Sequence, residues 1–229
     1  MRGPWISTKN VVLFVMFSVG ARAPQAFGQQ DPVGTYRSLA EALQHADITT
    51  TLILNKTALE SLPSDVAKLQ NLRILILHRN GLRDVPVELA SLKNLRAIYV
   101  GGSPALDFRK LIALLSQLPS LEGIGLDDNN MHTVPGNIGS LKACKRLGLS
   151  SNELATLPPE IGSLMSLESL DLYNNRLREV PPYVRQLRSL KKIFIKDSGL
   201  STVSMRKLFP DANIVEATPP EIYLQLKMT

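Results

Sequence analysis

One cysteine, three histidines and one tryptophan among 229 residues leave this chain short of the side chains on which most metal and nucleophile chemistry depends. Cys144 has no partner for an internal disulfide, so a stapled secreted framework is excluded. His45, His78 and His132 have no second histidine or carboxylate at ligand spacing, and neither a zinc site nor any cofactor is expected. Asp127-Asp-Asn-Asn130 lacks the following Gly and Glu of a calcium loop. Serines abound without a His-Asp pair or a nucleophile elbow, and no enzyme is expected. The formal charge of +6 falls to +3, 23 basic residues against 20 acidic ones, once Arg2, Lys9 and Arg22 are set aside as part of a leader. That is too mild to argue for nucleic acid.

The first 28 residues read as an export signal. Arg2 and Lys9 supply a positive start, Val11 to Val19 an apolar run, and Ala26-Phe27-Gly28 small residues at a cleavage site. Ala21-Arg22-Ala23 is a second candidate site, followed by an unfavourable Pro24. An uncleaved membrane anchor is the alternative, but the uncharged stretch from Asn10 to Ala21 is only twelve residues, against the roughly 20 needed to span a bilayer.

From Thr49 to Asp211 the chain repeats one pattern seven times. Repeats begin at Thr49, Leu72, Leu95, Leu121, Cys144, Leu167 and Leu190, each step 23 residues except a third step of 26. The fourth and sixth positions are Leu52/Leu54, Leu75/Leu77, Ile98/Val100, Ile124/Leu126, Leu147/Leu149, Leu170/Leu172 and Ile193/Ile195, with no charge among them. They are expected to point into a core. The ninth position is always polar (Thr57, Asn80, Ser103, Asn129, Asn152, Asn175, Ser198), able to bond backbone groups of the adjoining turn. Five repeats then place Leu-Pro or Val-Pro at a constant offset, as in Leu62-Pro63 and Leu157-Pro158, where proline ends a turn without costing a ladder hydrogen bond.

This pattern closely resembles the leucine-rich repeat family, and within it the LPxxIxxLxxL subclass, through LPSDVAKLQNL, VPVELASLKNL, VPGNIGSLKAC, LPPEIGSLMSL and VPPYVRQLRSL. The resemblance implies an α/β fold: a right-handed solenoid with a parallel sheet lining a concave surface that binds other macromolecules. It implies no catalytic residue. Four segments are expected: the signal at 1–28, an N-terminal helical cap at 29–48, seven repeats at 49–212, and a cap strand and tail at 213–229. Tyr36, Leu39, Leu43 and Ala46 mark the apolar stripe of a capping helix over Thr35 to Ala46. The third repeat lacks the Leu-Pro signature, and Phe108, Leu111, Ile112, Leu115 and Leu118 are spaced for a convex helix. Met205 to Val215 resembles the family's closing turn and last strand.

Because side chains alternate along a strand, positions three, five and seven should face the concave side. Ile53, Ile74, Ile76 and Tyr99 then form an apolar stripe open to water unless a partner covers it. Gly101, Gly102, Gly123, Gly125 and Gly148 leave a bare saddle in the middle repeats. Its rim has Asp127 and Asp128 opposite Arg96 and Arg146, with Asp171 beyond. Tyr99, Tyr173 and Phe194 are the aromatic anchors expected to dominate binding. Ile and Tyr also suit strands by propensity alone, and glycines can serve curvature.

The expected function is a secreted or periplasmic recognition scaffold, a monomer, taking a protein or a glycan on that face. Its export signal, helical cap and missing disulfides make it similar to exported bacterial repeat proteins. Membrane association is expected only if the signal is uncleaved. Two alternatives remain open: a self-associating envelope protein and an intracellular signalling adaptor.

Overall fold

A computed structural model describes residues 32–216; the expected signal at 1–28 and the end of the tail lie outside them. Each repeat contributes one three-residue strand, and each strand pairs in parallel with the next in register. Counting from the N-terminus these are β2 (Thr51–Ile53), β3 (Ile74–Ile76), β4 (Ala97–Tyr99), β5 (Gly123–Gly125), β6 (Arg146–Gly148), β7 (Ser169–Asp171) and β8 (Lys192–Phe194). Two further strands, β1 (Thr35–Tyr36) and β9 (Asn213–Val215), complete a nine-stranded sheet in strict chain order. That order follows from the sequence, since a unit of 23 residues is long enough to return the chain beside its own strand and too short to skip one.

The core lies on one side of the sheet. All fourteen side chains at positions four and six are buried, each such Leu or Ile contributing about 1.5–3 kcal/mol. On the return side, five repeats form short 3-10 helices such as Ser64–Lys68 and Pro159–Ser163, whose prolines sit at or just before the first turn, where no amide donor is needed. Repeat three differs. Its three extra residues admit an α-helix, α2 (Phe108–Leu115), capped by the Asp107 carboxylate accepting from the Lys110 amide at 3.0 Å and burying Phe108, Leu111, Ile112, Leu114 and Leu115.

The ends are closed differently from the sequence expectation. The N-terminal helix α1 covers only Leu39–Gln44, because Tyr36 belongs to β1 and pairs with Leu52. Tyr36, Leu39, Leu43 and Ala46 nevertheless pack on the core. At the other end a helix, α3 (Thr202–Leu208), rather than a turn alone, precedes β9 and buries Met205.

The ninth-position side chains form a buried polar ladder. The Asn152 carbonyl oxygen accepts from the amides of Asn129 and Met131, both at 3.1 Å, while its amide group donates to the carbonyls of Leu126 and Leu149 at 3.0 Å. Asn175 donates to Leu149 and Leu172 at 3.0 Å and accepts from the Leu154 amide at 3.1 Å. Ser103 is shorter and accepts only from the Leu82 amide, at 3.2 Å, while its own amide donates to the Asn129 carbonyl oxygen at 2.7 Å, as the Asn129 amide does to Asn152. Position eight is left-handed in every repeat: Lys56, Arg79, Asp128, Ser151, Asn174 and Asp197 have φ between 52° and 59°, and Gly102 has 69°. A non-glycine residue pays roughly 1–2 kcal/mol for that conformation, offset by the ladder bonds at the next residue.

Candidate recognition surface

The sheet's other face is built by the first and third residues of each strand. Packed helices need about 8–10 Å of spacing against about 4.8 Å for strands, so the strand side is the inner, narrower side of the stack. In one row Ile53, Ile76, Tyr99, Gly125, Gly148, Asp171 and Phe194 are successive ladder partners; in the other stand Thr51, Ile74, Ala97, Gly123, Arg146, Ser169 and Lys192.

The structure brings the apolar stripe together. Ile53, Ile74, Ile76, Ala97 and Tyr99 form a second cluster, apart from the main core, in which Ile76 is 0% and Tyr99 3% exposed. Alternation along the strands thus placed the four stripe residues on one face, where they meet as a single apolar cluster.

The glycine saddle is not bare. A Cβ on Gly125 would stand 2.5 Å from Cδ1 of Tyr99, so the tyrosine ring occupies the space that Gly125 vacates. His78 does the same at Gly101, its Nδ1 2.5 Å from a Cβ there. Over Gly123, the Ala97 Cβ and the Arg146 guanidinium come within 3.3–3.7 Å of such an atom. Side chains of neighbouring strands fill the gaps. Burial pushes the Tyr99 phenol well above its ordinary value, with Asp127 adding to the rise and Arg146 opposing it.

The remaining candidates divide by what they touch. Asp127 is buried, its Oδ1 accepting from the Ser150 amide at 2.9 Å and hydroxyl at 2.8 Å. Asp171 is buried too, its Oδ1 accepting from the Tyr173 amide at 2.9 Å. Both were expected as contact residues, and both brace the backbone of this face. Phe194 is 5% exposed and lies under the Lys192 ammonium, 4.7 Å from the ring centre. Arg146 reaches Glu122 at 3.8 Å. Asp128 and Tyr173 are half-buried, and Arg96 is exposed. The accessible part of the inner face thus lies over β6 to β8, where Arg146, Ser169, Tyr173, Lys192 and Lys196 are half-exposed.

Position two adds an ion-pair row that sequence reasoning missed. Lys145 meets Glu122 and Lys191 meets Glu168, each at 2.8 Å. The signal was present as opposite charges exactly one repeat apart. The Lys191 contact, helped by Lys145 and Arg146, holds the Glu168 carboxyl below its ordinary value. Among the described residues no three His, Cys, Asp or Glu side chains gather as a metal site, and no helix is long and apolar enough to cross a membrane.

The Leucine Rich Repeat family model matches residues 166–187, a single repeat length. No curated protein matches the chain. Solved structures do. A leucine-rich repeat protein of Leptospira interrogans is 24% identical with a TM-score of 0.51, over 84% of this chain and 62% of that one.

The fold is a leucine-rich repeat solenoid.

Two other solenoids extend the comparison. A chain from the plant peptide hormone receptor RGFR1 in complex with RGF2 is 20% identical with a TM-score of 0.54, over 79% of this chain and 30% of that one. A chain from the Toll–Spätzle complex of Drosophila is 24% identical with a TM-score of 0.57, over 74% and 23%. This solenoid spans less than two thirds of the length of each of the three. At these identities the likeness concerns the fold alone.

Proposed function

We propose that the chain is a non-enzymatic recognition scaffold, exported to the cell exterior or the periplasm, that binds a protein through the inner face of its sheet over β6 to β8. The observation behind this reading is the division of that face. Over β2 to β5 its side chains are packed against one another, whereas over β6 to β8 Arg146, Tyr173, Lys192 and Lys196 remain half-exposed on a rigid ladder. An aromatic flanked by cations is the composition of an interface centre with a polar rim. The complexes named for the RGFR1 and Toll structures support a protein ligand as the class of partner. A glycan is the alternative ligand on the same surface, since Tyr173 could stack on a sugar ring.

The reading is tested by affinity capture from envelope and culture-supernatant extract with the unmodified chain and with Tyr173→Ala/Lys192→Ala/Lys196→Ala. Tyr99 is left intact because it is packed. A partner captured by the first and lost by the second supports the inner face; equal capture by both moves recognition elsewhere. Concentration-dependent size without any partner would instead favour the self-associating envelope protein.

A further inference from the structure

The charge of this chain is concentrated at its C-terminal end. Residues 176–207 hold nine Lys or Arg against two Asp or Glu, a local balance of +7 in a chain whose total is +6. Two of the nine are answered by carboxylates of the preceding repeat, Arg176 by Glu153 at 2.9 Å and Lys191 by Glu168 at 2.8 Å. Three others, Arg178, Arg185 and Lys207, line one cleft of about 440 Å³ between the last 3-10 turn and α3. No carboxylate among the described residues lies within ion-pair distance of these three. The cleft's one acidic lining residue is Glu179, while Ser201 and Ser204 add hydroxyls that can donate hydrogen bonds.

Like charges gathered around a concavity raise the local potential and draw anions into it. Guanidinium groups match a tetrahedral oxyanion with paired N–H donors, and such charge-assisted bonds are about twice as strong as neutral ones. The volume suits a sugar-sized molecule, and Leu200 and Leu208 supply an apolar wall for its ring. A nucleic-acid strand fits poorly, for no aromatic ring lines the cleft and Tyr183, next to it in sequence, turns its hydroxyl to the Leu157 carbonyl.

We infer that this cleft binds a phosphate monoester carried on a saccharide-sized group, with Arg178, Arg185 and Lys207 as its cationic contacts and Ser201 and Ser204 as hydroxyl donors. The site is on the flank of the solenoid, away from the inner face, and does not depend on what that face binds.

The test titrates the full chain with hexose 6-phosphate, inorganic phosphate and the unphosphorylated hexose at constant ionic strength, by calorimetry and by amide chemical shifts. Saturable binding of the hexose phosphate, tighter than phosphate and absent for the bare hexose, is expected, with shifts at Arg178, Gly199 and Ser201 and none along β2 to β4. Arg178→Ala/Arg185→Ala should weaken it by about tenfold or more, while Arg73→Ala/Arg109→Ala, an equal loss of exposed charge elsewhere, should leave it unchanged. No saturable binding, an equal loss in both variants, or shifts mapping to another part of the chain would each overturn the assignment. The shift map on the unmutated chain decides the matter even if the double variant folds poorly.

Discussion

Replacing Asn152 with alanine isolates what the polar ladder contributes. The side chain is 6% exposed and makes contacts in two repeats at once. Without it, the buried amides of Asn129 and Met131 lose the acceptor that each reaches at 3.1 Å. The Leu126 carbonyl also loses its side-chain donor, whereas the Leu149 carbonyl keeps the Asn175 amide group at 3.0 Å. An unanswered buried donor costs about 1–3 kcal/mol, so the two amides together set an expected loss of about 3 kcal/mol. Asn152→Ser should recover roughly half, because a hydroxyl reaches one amide, as Ser103 does with Leu82. Urea unfolding followed by circular dichroism gives the loss as a shift in midpoint at unchanged slope. Amide exchange locates it: Asn129 and Met131 should exchange much faster in the alanine variant, and Leu82 should not. A loss under about 1 kcal/mol with both amides still protected would refute the reasoning, since water or backbone adjustment would then be satisfying them.

The packing of Tyr99 over Gly125 makes a second expectation. Gly125→Ala should destabilise by about 1–3 kcal/mol through overpacking, and the loss should shrink when Tyr99→Ala removes the ring, a non-additivity that a double-mutant cycle measures. Cys144 is fully buried and its thiol is pushed up to about 12 by loss of solvation, so it should resist thiol reagents at neutral pH until the chain unfolds in denaturant. The sign of its pH effect follows: above the ordinary thiol value of 9.0 the unfolded chain releases a proton that the folded one retains. Stability is therefore lost as pH rises from there toward 12, by about 1.4 kcal/mol per unit from this group. Cys144→Ala should reduce that slope in urea unfolding between pH 9 and 11.

Periodicity made the architecture legible. A 23-residue step with apolar residues at positions four and six can bury them only by stacking, and the nine-stranded order and the fourteen buried side chains follow from it. The convex helix of repeat three was legible for the same reason, because Phe108, Leu111, Ile112 and Leu115 recur at helical spacing. Less could be read at the ends. Tyr36 fits an apolar helical stripe, yet the open edge of β2 offers unpaired backbone groups, and pairing them outweighs the local periodicity.

The inner face was legible in position but not in condition. Alternation along the strands correctly assigned Ile53, Ile74, Ile76 and Tyr99 to one side, and the register that makes them neighbours follows from the repeat. That Tyr99 lies over Gly125 and His78 over Gly101 depends on side-chain torsions and on the distance between adjacent strands, which no single repeat encodes. A bulky residue followed one repeat later by glycine was the available hint.

By itself, then, the sequence determined the number of repeats, their register, the residues of the core and the polar ladder, because each is a periodic property and a local pattern suffices to specify it. Only the tertiary structure decided that Lys56 and Arg79 adopt left-handed backbone, that Asp127 and Asp171 brace the chain, and that Arg178, Arg185 and Lys207 meet in one cleft. Those outcomes arise where side chains from different repeats, and from the closing helix, compete for the same space and the same hydrogen-bond partners.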